Sequence, residues 1–357
     1  MTYPIKTLMV MAGGTGGHVY PAMAVADHLK SKGWNIVWLC TEGGMENRLI
    51  AGKDYQKATI TMRGVRGKGL LGWLLLPVKL SIALTQSYKA IQKFQPNLVL
   101  GMGGFAAFPG GLMANALNKP LVIHEQNSVA GLTNKTLAYF AKKVLAAFPA
   151  AFGSKAVLVG NPVREVIAQI APPETRLKTR TGALRLLVVG GSLGAQALND
   201  VLPKALAEIQ MDSRPQVVHQ AGEKHIATLQ ANYQAAGVQA EAIAFIDDMA
   251  AMYAWADIVI CRAGALTIAE LSAAGVASVL VPFPYAVDDH QTSNAHYLSD
   301  AGAAILIPQA EFTATKVAVL LQDLTREQCL NMAIKARSLG KPEATATVAT
   351  ICMELAV

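Results

Sequence analysis

The sequence contains few cysteines and few aromatic residues, and both shortages exclude classes of function. Its four cysteines, Cys40, Cys261, Cys329 and Cys352, stand far apart among 357 residues. Because no C-x-x-C pair occurs, their spacing is not typical of a zinc site or a redox motif, and we expect buried, reduced thiols. Aromatic residues make up 6% of the chain and no dense Lys/Arg run occurs. We therefore do not expect a nucleic-acid groove.

The sequence also lacks a hydrophobic run long enough to cross a membrane. The longest apolar stretch, residues 70–84, is interrupted by Pro77 and Lys79, and it is shorter than the roughly 20 apolar residues that a spanning helix needs. The amino terminus leads directly into a strand and a glycine loop, with no apolar region followed by a cleavage site. These features predict a protein that stays in the cytosol.

Length and charge indicate the size and the partners of the molecule. The 357 residues predict two domains of ordinary size, each with its own core. Hydrophobic residues make up 52% and charged residues 15% of the chain, a composition typical of a globular enzyme with a large buried or lipid-facing apolar area. The net charge of +7 is compatible with an anionic substrate or an anionic membrane surface.

Three glycine loops follow apolar segments, and they are the strongest signal in the sequence. The segments are LMVMAGGTGGH ending at His18, VLGMGGF ending at Phe105, and LLVVGGSLGAQ ending at Gln196. A strand that turns through glycines into a helix aims backbone N–H groups at an anion. None of the loops fits G-x-G-x-x-G or ends in Gly-Lys-Ser/Thr, which disfavours NAD and a Walker-type nucleotide site. We expect the loops to hold phosphate.

Apolar strands alternate with helices in both halves of the chain. Strands are predicted at 6–12, 36–41, 98–102, 121–124 and 157–163, and again at 186–189, 216–220, 242–245, 258–261 and 279–282, with a helix at 21–32. This alternation predicts an α/β protein with two Rossmann-like, doubly wound domains. We expect an N-terminal domain at 1–163, a C-terminal domain at 164–340, and a final helix at 341–357 that returns to the first domain.

The segment CRAGALTIAE, from Cys261 to Glu270, carries a second anion-binding pattern. A strand ends, a glycine turns the chain and a helix begins, so the N–H groups of residues 265–267 could face a diphosphate. Glu270 follows among small and apolar residues. A carboxylate in such surroundings needs a partner, and the two hydroxyls of a ribose would provide one.

Eight motifs in order resemble the MurG family of bacterial glycosyltransferases. They are GGTGGH, GMGGF, HEQN, GNPVR, GGSLGA, FIDDM, CRAGALTIAE and DDHQTSNA. Members of that family move N-acetylglucosamine from UDP-N-acetylglucosamine to undecaprenyl-diphosphate-linked N-acetylmuramyl-pentapeptide, which is a step of peptidoglycan synthesis. The resemblance, which spans nearly the whole chain, implies a GT-B fold whose two domains face a cleft. It also implies inversion at the sugar carbon and no cofactor.

The resemblance implies where the substrates bind. The donor diphosphate would meet Ser192 and Arg164, the uracil would meet backbone groups of Ile246, and the ribose would meet Glu270. Asn127 and Gln291 would face the transferred sugar, and Gly103 and Gly104 would lie near the acceptor. The remaining implied substrate-binding residues are Thr15, Gly16, Gly17, Ala265, Leu266, Thr267, Ile268 and Ala269.

The transfer also needs a base for the acceptor hydroxyl and a group that stabilises the leaving diphosphate. His18, directly after the first glycine loop, and Glu125, directly after a strand, are the two candidates for the base, and both stay open. Backbone N–H groups would stabilise the diphosphate without a metal. The Asp pairs at 247–248 and 288–289 are adjacent, so their side chains would diverge on a strand and make a poor metal site.

A basic, apolar segment at residues 65–87 is compatible with a helix that lies on an anionic membrane surface and with a buried helix. The lipid-linked acceptor that the resemblance implies favours the first, as a peripheral protein on the cytoplasmic face of the bacterial inner membrane. The residues expected there are Leu70, Leu71, Trp73, Leu74, Leu75 and Lys79. The resemblance leaves room for other cell-wall and division proteins as partners. Two alternatives remain at this point: a UDP-N-acetylglucosamine 2-epimerase, which shares the GT-B architecture but needs no lipid acceptor, and a non-catalytic scaffold docked on the membrane.

Overall fold

A computed structural model describes residues 5–62, 75–191 and 194–356. The chain divides into two compact units. The first unit comprises Met1–Arg164 together with Pro342–Val357, and the second comprises Glu165–Lys341. Each unit is built on its own parallel β-sheet with helices on both faces, as the alternation of strands and helices predicted.

The first unit contains a seven-stranded parallel sheet in the order β3-β2-β1-β4-β5-β6-β7. Its strands are β1 Thr7–Met11, β2 Asn35–Thr41, β3 Gln56–Ile60, β4 Leu98–Gly101, β5 Leu121–Glu125, β6 Lys143–Ala146 and β7 Val157–Leu158. Its helices are α1 Gly16–Ser31, α2 Met45–Leu49, α3 Leu76–Phe94, α4 Ala107–Ala116 and α5 Leu132–Leu137, together with the last helix of the chain, Ala344–Leu355.

Strand β1 shows why this sheet is covered on both faces. Leu8 and Val10 belong to one apolar cluster, and Met9 and Met11 belong to the cluster on the opposite face. Successive side chains of a strand point to opposite faces, so a strand buried on both sides reads as a continuous apolar run. The last helix of the chain completes the first cluster, where Cys352 is fully buried.

The second unit contains a six-stranded parallel sheet in the order β10-β9-β8-β11-β12-β13. Its strands are β8 Arg185–Val189, β9 Gln216–Gln220, β10 Glu241–Ile243, β11 Ile258–Cys261, β12 Ala277–Leu280 and β13 Ala304–Leu306. The helices of this unit are α6 Glu165–Ala168, α7 Pro173–Leu177, α8 Gln196–Ala207, α9 Ile226–Ala235, α10 Met249–Trp255, α11 Ala265–Ala274, α12 His290–Ser299, α13 Ala314–Asp323 and α14 Arg326–Leu339, and the final helix of the chain is α15.

The strand predictions succeed in the buried centre of each sheet and at the edge strand β10, but they miss three strands. Strands β9 and β11 have the predicted bounds. The pattern did not predict β3, β6 or β13. Strand β3, QKATI, lies at the edge of its sheet with only its last residue buried, so it has no apolar run. Strand β7 covers two exposed residues where seven were predicted.

The four cysteines are unpaired and buried, as their spacing predicted. Burial is the main reason why the pKa of each thiol is raised to about 12. The thiols are therefore packing groups rather than nucleophiles. Among the described residues, no helix combines the length and the hydropathy that crossing a bilayer requires.

Candidate functional site

The strand order places the glycine loops where a ligand site is expected in each sheet. The order reverses between β1 and β4 in the first sheet and between β8 and β11 in the second. In open parallel sheets, ligands bind beyond the carboxyl ends of the strands at such a switch point. The three glycine loops and the turn of the CRAGAL segment follow these four strands. The glycine loops therefore lie at the carboxyl ends of strands, as the sequence predicted.

Three helices begin at these loops without a side-chain cap. Helix α1 begins at Gly16, α8 at Gln196 and α11 at Ala265, and the residue preceding each helix makes no side-chain capping bond. Within the described part of the chain, the N–H groups of residues 265–267 have no hydrogen-bond acceptor. Uncapped N–H groups at a helix start attract an anion, so the start of α11 offers the donors that the predicted phosphate cradle needs.

In the first unit, the ring of His18 lies against the glycine loop that follows β4. A Cβ atom added to Gly103 would be 2.9 Å from Cε1 and 3.0 Å from Nδ1 of His18. Gly103 has a φ of +95°, and Gly104, with a φ of +90°, packs so closely on the backbone of Gly13 that a Cβ there would collide with it. Glycine is required at both positions because only glycine permits this approach and this backbone.

His18 begins a row of polar groups that runs into the core. Its Nδ1 lies 2.8 Å from Oε1 of Gln126. Nε2 of Gln126 lies 3.2 Å from Nδ1 of His124, and Nε2 of His124 lies 2.8 Å from the carbonyl oxygen of Gly160. Both Gln126 and His124 are buried. Gln126 was not a predicted site residue, although it belongs to the HEQN motif. Its place in this row is visible only in the structure, because the row ends on the carbonyl of Gly160, which is distant in sequence.

Glu125, the second candidate for the base, is buried and holds a loop together. Its Oε1 accepts hydrogen bonds from the backbone N–H (3.0 Å) and the side-chain amide (3.4 Å) of Asn127. Its Oε2 accepts from the N–H of Gly131 at 3.1 Å and from Nδ2 of Asn134 at 2.9 Å. Four donors therefore occupy the carboxylate, which identifies it as the anchor of the loop after β5.

The other predicted residues of the first unit lie near these loops or beside the unit boundary. Thr15 is exposed, and Gly16, Gly17 and Asn127 are half-buried. Arg164 is the last residue of the first unit before Glu165 and is half-buried.

The second unit contains a cavity of about 670 Å³ at its switch point. It brings together the glycine loop after β8, the start of α11 and the start of α12. Of the predicted residues, Thr267 and Gln291 line it. Predicted residue Ser192 lies outside the described residues. The other lining residues are Val189, Gly190, Gly191, Gly194, Ala195, Gln196, Ala197, Asp200, Arg262, Gly264, Phe283 and Gln309.

Gln291 is oriented by the backbone next to the cavity. Its Oε1 accepts a hydrogen bond from the N–H of Phe283 at 2.9 Å. Because the oxygen is thus engaged, the NH2 group of the same amide is the part of Gln291 that can donate to a ligand. Two left-handed residues, Asp288 with a φ of +53° and Asp289 with a φ of +47°, precede α12 and set where this helix begins.

Arg262 is a cavity residue that sequence reasoning passed over, although it lies within the CRAGAL segment. Its Nη1 donates to the carbonyl oxygens of Val281 and Pro282 at 3.1 and 3.2 Å, and its Nη2 donates to Oε1 of Gln309 at 2.6 Å. The guanidinium also lies over the ring of Phe283, 5.4 Å from its centroid. Burial lowers its pKa from the ordinary arginine value, yet the residue remains a cation at neutral pH.

The remaining predicted donor residues differ in what they can offer a ligand. Glu270 is buried in α11, and its Oε2 accepts a hydrogen bond from the hydroxyl of Tyr253 at 3.2 Å.

The side chain of Ile246 is buried, and its backbone makes no bond to other backbone groups of the described residues. Ile268 is fully buried and its N–H donates to Gly264, so it packs the helix. Ala265 is buried, whereas Leu266 and Ala269 are half-buried.

Of the predicted membrane residues, Leu75 and Lys79 are described and the others are not. Leu70, Leu71, Trp73 and Leu74 lie outside the described residues. Leu75 is exposed, directly before α3, and Lys79 on α3 is half-buried. Across residues 5–62, 75–191 and 194–356, no group of three or more His, Cys, Asp or Glu side chains is placed to hold a metal ion.

Comparison with known proteins places both units in one family. Residues 8–146 match the glycosyltransferase family 28 N-terminal domain, and residues 185–348 match the glycosyltransferase family 28 C-terminal domain. The chain is 57% identical over 351 residues to the UDP-N-acetylglucosamine–N-acetylmuramyl-(pentapeptide) pyrophosphoryl-undecaprenol N-acetylglucosamine transferase of Dechloromonas aromatica, which covers 98% of this chain and 99% of the relative.

Two solved structures are also similar. MurG of Acinetobacter baumannii superposes with a TM-score of 0.86 at 40% identity, covering 98% of this chain and 99% of that one. UDP-GlcNAc 2-epimerase of Neisseria meningitidis superposes with a TM-score of 0.64 at 12% identity, over 98% of this chain and 100% of that one, and this likeness concerns the fold alone. The chain therefore belongs to the MurG family within glycosyltransferase family 28.

Proposed function

We propose that the chain transfers N-acetylglucosamine from UDP-N-acetylglucosamine to undecaprenyl-diphosphate-linked N-acetylmuramyl-pentapeptide, the step from lipid I to lipid II in peptidoglycan synthesis. The observation that carries this proposal is the 57% identity, over nearly the full length of both chains, to a relative named for this reaction. The arrangement of the two switch-point sites supports it, since one offers anion-binding groups and the other offers a histidine beside a glycine loop.

The second unit binds the nucleotide sugar in this proposal. The N–H groups of residues 265–267 and the glycine loop that contains Ser192 receive the diphosphate, and Arg164 contributes positive charge. As the sugar leaves, negative charge grows on the diphosphate, and preorganised N–H donors stabilise it without reorganising. Arg262, held among the carbonyls at the cavity wall, adds a cation at the same end of the sheet.

The nucleoside and the sugar are recognised by the remaining donor residues. Backbone groups of Ile246 meet the uracil, and Glu270 accepts hydrogen bonds from the ribose hydroxyls while Tyr253 supports one of its oxygens. The NH2 group of Gln291 donates to a sugar hydroxyl because its oxygen is engaged by the backbone of Phe283. Asn127, Thr15, Gly16 and Gly17 also contact the sugar in this proposal.

His18 acts as the general base in this proposal. An alcohol becomes a good nucleophile only while its proton is being removed, and His18 stands at the carboxyl end of β1 with its ring against Gly103. Glu125 serves as the loop anchor instead, since four N–H donors already occupy its oxygens. Attack of the hydroxyl opposite the departing UDP inverts the sugar carbon, and Gly103 and Gly104 lie near the acceptor.

The first unit also docks on the cytoplasmic face of the inner membrane in this proposal. Leu75, Val78 and Ile82 are exposed by 44, 59 and 45%, and their spacing places them on one side of α3 together with Lys79. Apolar side chains accompanied by a lysine favour an anionic lipid surface. Such docking brings the unit to the layer in which a lipid-linked acceptor resides.

The function itself is tested by UDP release. Purified protein, UDP-N-acetylglucosamine and a muramyl-pentapeptide lipid with a shortened prenyl chain should release UDP and form a disaccharide product, and turnover should persist with a metal chelator because N–H donors stabilise the diphosphate. The control omits the lipid. Consumption of the sugar nucleotide without the lipid would instead indicate an epimerase, and donor binding without turnover would indicate a scaffold.

Replacing the proposed base tests its role. We expect His18→Ala to lower kcat by about 100- to 10,000-fold, the usual contribution of a general base, with little change in the KM for UDP-N-acetylglucosamine. His28→Ala is the matched control, because His28 lies on the same helix and is likewise half-buried. Added imidazole should partly restore the His18→Ala enzyme. A kcat within threefold of the unmodified enzyme would rule out His18 as the base.

The ribose contact is tested by Glu270→Gln. Loss of the charged acceptor should raise the KM for UDP-N-acetylglucosamine about tenfold or more, since hydrogen bonds to charged groups contribute about 1.5–3 kcal/mol. Steady-state kinetics measure this change, with exposed Glu327→Gln as the control. The variant should also discriminate less between UDP and 2′-deoxy-UDP as inhibitors. Unchanged discrimination would show that Glu270 does not contact the ribose.

Membrane docking is tested with vesicles. Val78→Asp should lower the affinity for vesicles rich in acidic phospholipid by about tenfold, because it removes roughly 1.5 kcal/mol of apolar burial and adds a repelled charge. Val319→Asp on α13 is the matched control, since Val319 is also half exposed. Co-sedimentation measures binding. Equal effects of the two substitutions would argue against docking through α3.

A further inference from the structure

Two backbone carbonyls determine which atoms donate and which accept hydrogen bonds in the polar row behind His18. The carbonyl oxygen of Gly160 can only accept, so Nε2 of His124, 2.8 Å away, must carry a proton. The carbonyl oxygen of His124 lies 3.2 Å from one end of the Gln126 amide. That end must be the NH2 group, since an oxygen there would face another oxygen.

The remaining assignments follow from these two. His124 is fully buried, and burial is the main reason why its pKa is lowered to about 4. The ring is therefore neutral at neutral pH, and its Nδ1 accepts from the NH2 group of Gln126 at 3.2 Å. The other end of the Gln126 amide is then an acceptor. It lies 2.8 Å from Nδ1 of His18, so Nδ1 of His18 carries the proton.

We propose that Gln126 and His124 are positioning residues that hold His18 in the Nδ1–H tautomer and leave the lone pair of Nε2 for the acceptor hydroxyl. Within the described part of the chain, Nε2 of His18 has no hydrogen-bond partner. Gly103 restricts the ring from one side, and Gln126 fixes its rotation from the other. This inference rests on the proposed function, in which His18 removes a proton.

The row also determines where the proton and the charge go. The oxygen of the acceptor hydroxyl forms a bond to the sugar carbon while its O–H bond breaks and the proton moves to Nε2 of His18. The bond between that carbon and the diphosphate oxygen breaks at the same time, and its electron pair leaves with UDP. The imidazolium then donates from Nδ1 to the Gln126 oxygen in a stronger, charge-assisted bond. A carboxamide is a very weak base, so the proton stays on His18 until solvent or the released UDP takes it.

The tautomer can be measured directly in the unmodified enzyme. Histidine-ring ¹⁵N–¹H correlation spectra distinguish a protonated from an unprotonated ring nitrogen, and a His18→Gln sample assigns the His18 signals. At a pH where the ring is neutral, we expect a proton on Nδ1 and none on Nε2 of His18, with the reverse for His124. A proton on Nε2 of His18, or an averaged mixture of tautomers, would overturn the inference without any need for a variant at Gln126.

A substitution connects the tautomer to catalysis. Gln126→Met keeps the length of the side chain and removes both polar ends, so His18 should move towards the Nε2–H form and kcat should fall by about 10- to 100-fold. The KM for UDP-N-acetylglucosamine should stay unchanged. Gln92→Met, at an exposed position on α3, is the control. A normal kcat in Gln126→Met would contradict the positioning role.

These outcomes are separable from those that test the proposed function. If His18→Ala retains its kcat while the His18 tautomer is as described, His18 is not the base, although the row exists. If His18→Ala is inactive but His18 carries its proton on Nε2, the base assignment stands and the role of Gln126 and His124 fails.

Discussion

The close approach of two glycine loops at the switch point of the first sheet is the constraint on which that site depends. Gly104 packs on the backbone of Gly13, and neither a Cβ atom nor an ordinary φ is compatible with its position. This contact holds the loop after β4 against the loop after β1. It leaves Gly103 directly beside the ring of His18, and the polar row through Gln126 then fixes the ring from within the core. The side chain of His18 is thus half-buried and is held by contacts with Gly103 and Gln126.

The second unit also contains a glycine that packs tightly on a neighbouring backbone. Gly194, with a φ of +78°, packs on the backbone of Ala221 so closely that a Cβ would collide with it. Gly194 lies at the wall of the cavity of this unit, where helices α8 and α11 begin without side-chain caps. The same kind of switch point therefore holds His18 against a glycine loop in the first unit and two uncapped helix starts beside a cavity in the second.

Buried polar groups in both units act mainly by orienting other groups. Glu125 accepts hydrogen bonds from four donors in the loop after β5 and in helix α5, and Gln291 is oriented by the N–H of Phe283. His219 in the second unit has a pKa lowered to about 3 by burial and lies between Tyr233 and Asn199. Buried polar groups must find partners because water is absent. Such partners hold side chains in the single orientation that a reaction needs.

Sequence by itself determined the class of fold, the glycine loops and most candidate residues, because strand periodicity and glycine loops are local properties of the chain. It did not reveal the edge strand β3, whose residues lack an apolar pattern. Nor did it separate His18 from Glu125, or identify Arg262 and Gln126 as site residues. Those distinctions depend on which atoms the folded chain brings together. The structure sets the carbonyl of Gly160 behind His124, 36 residues away in sequence, and directs donors of Asn127, Gly131 and Asn134 onto Glu125, and no local pattern of residues reveals either arrangement.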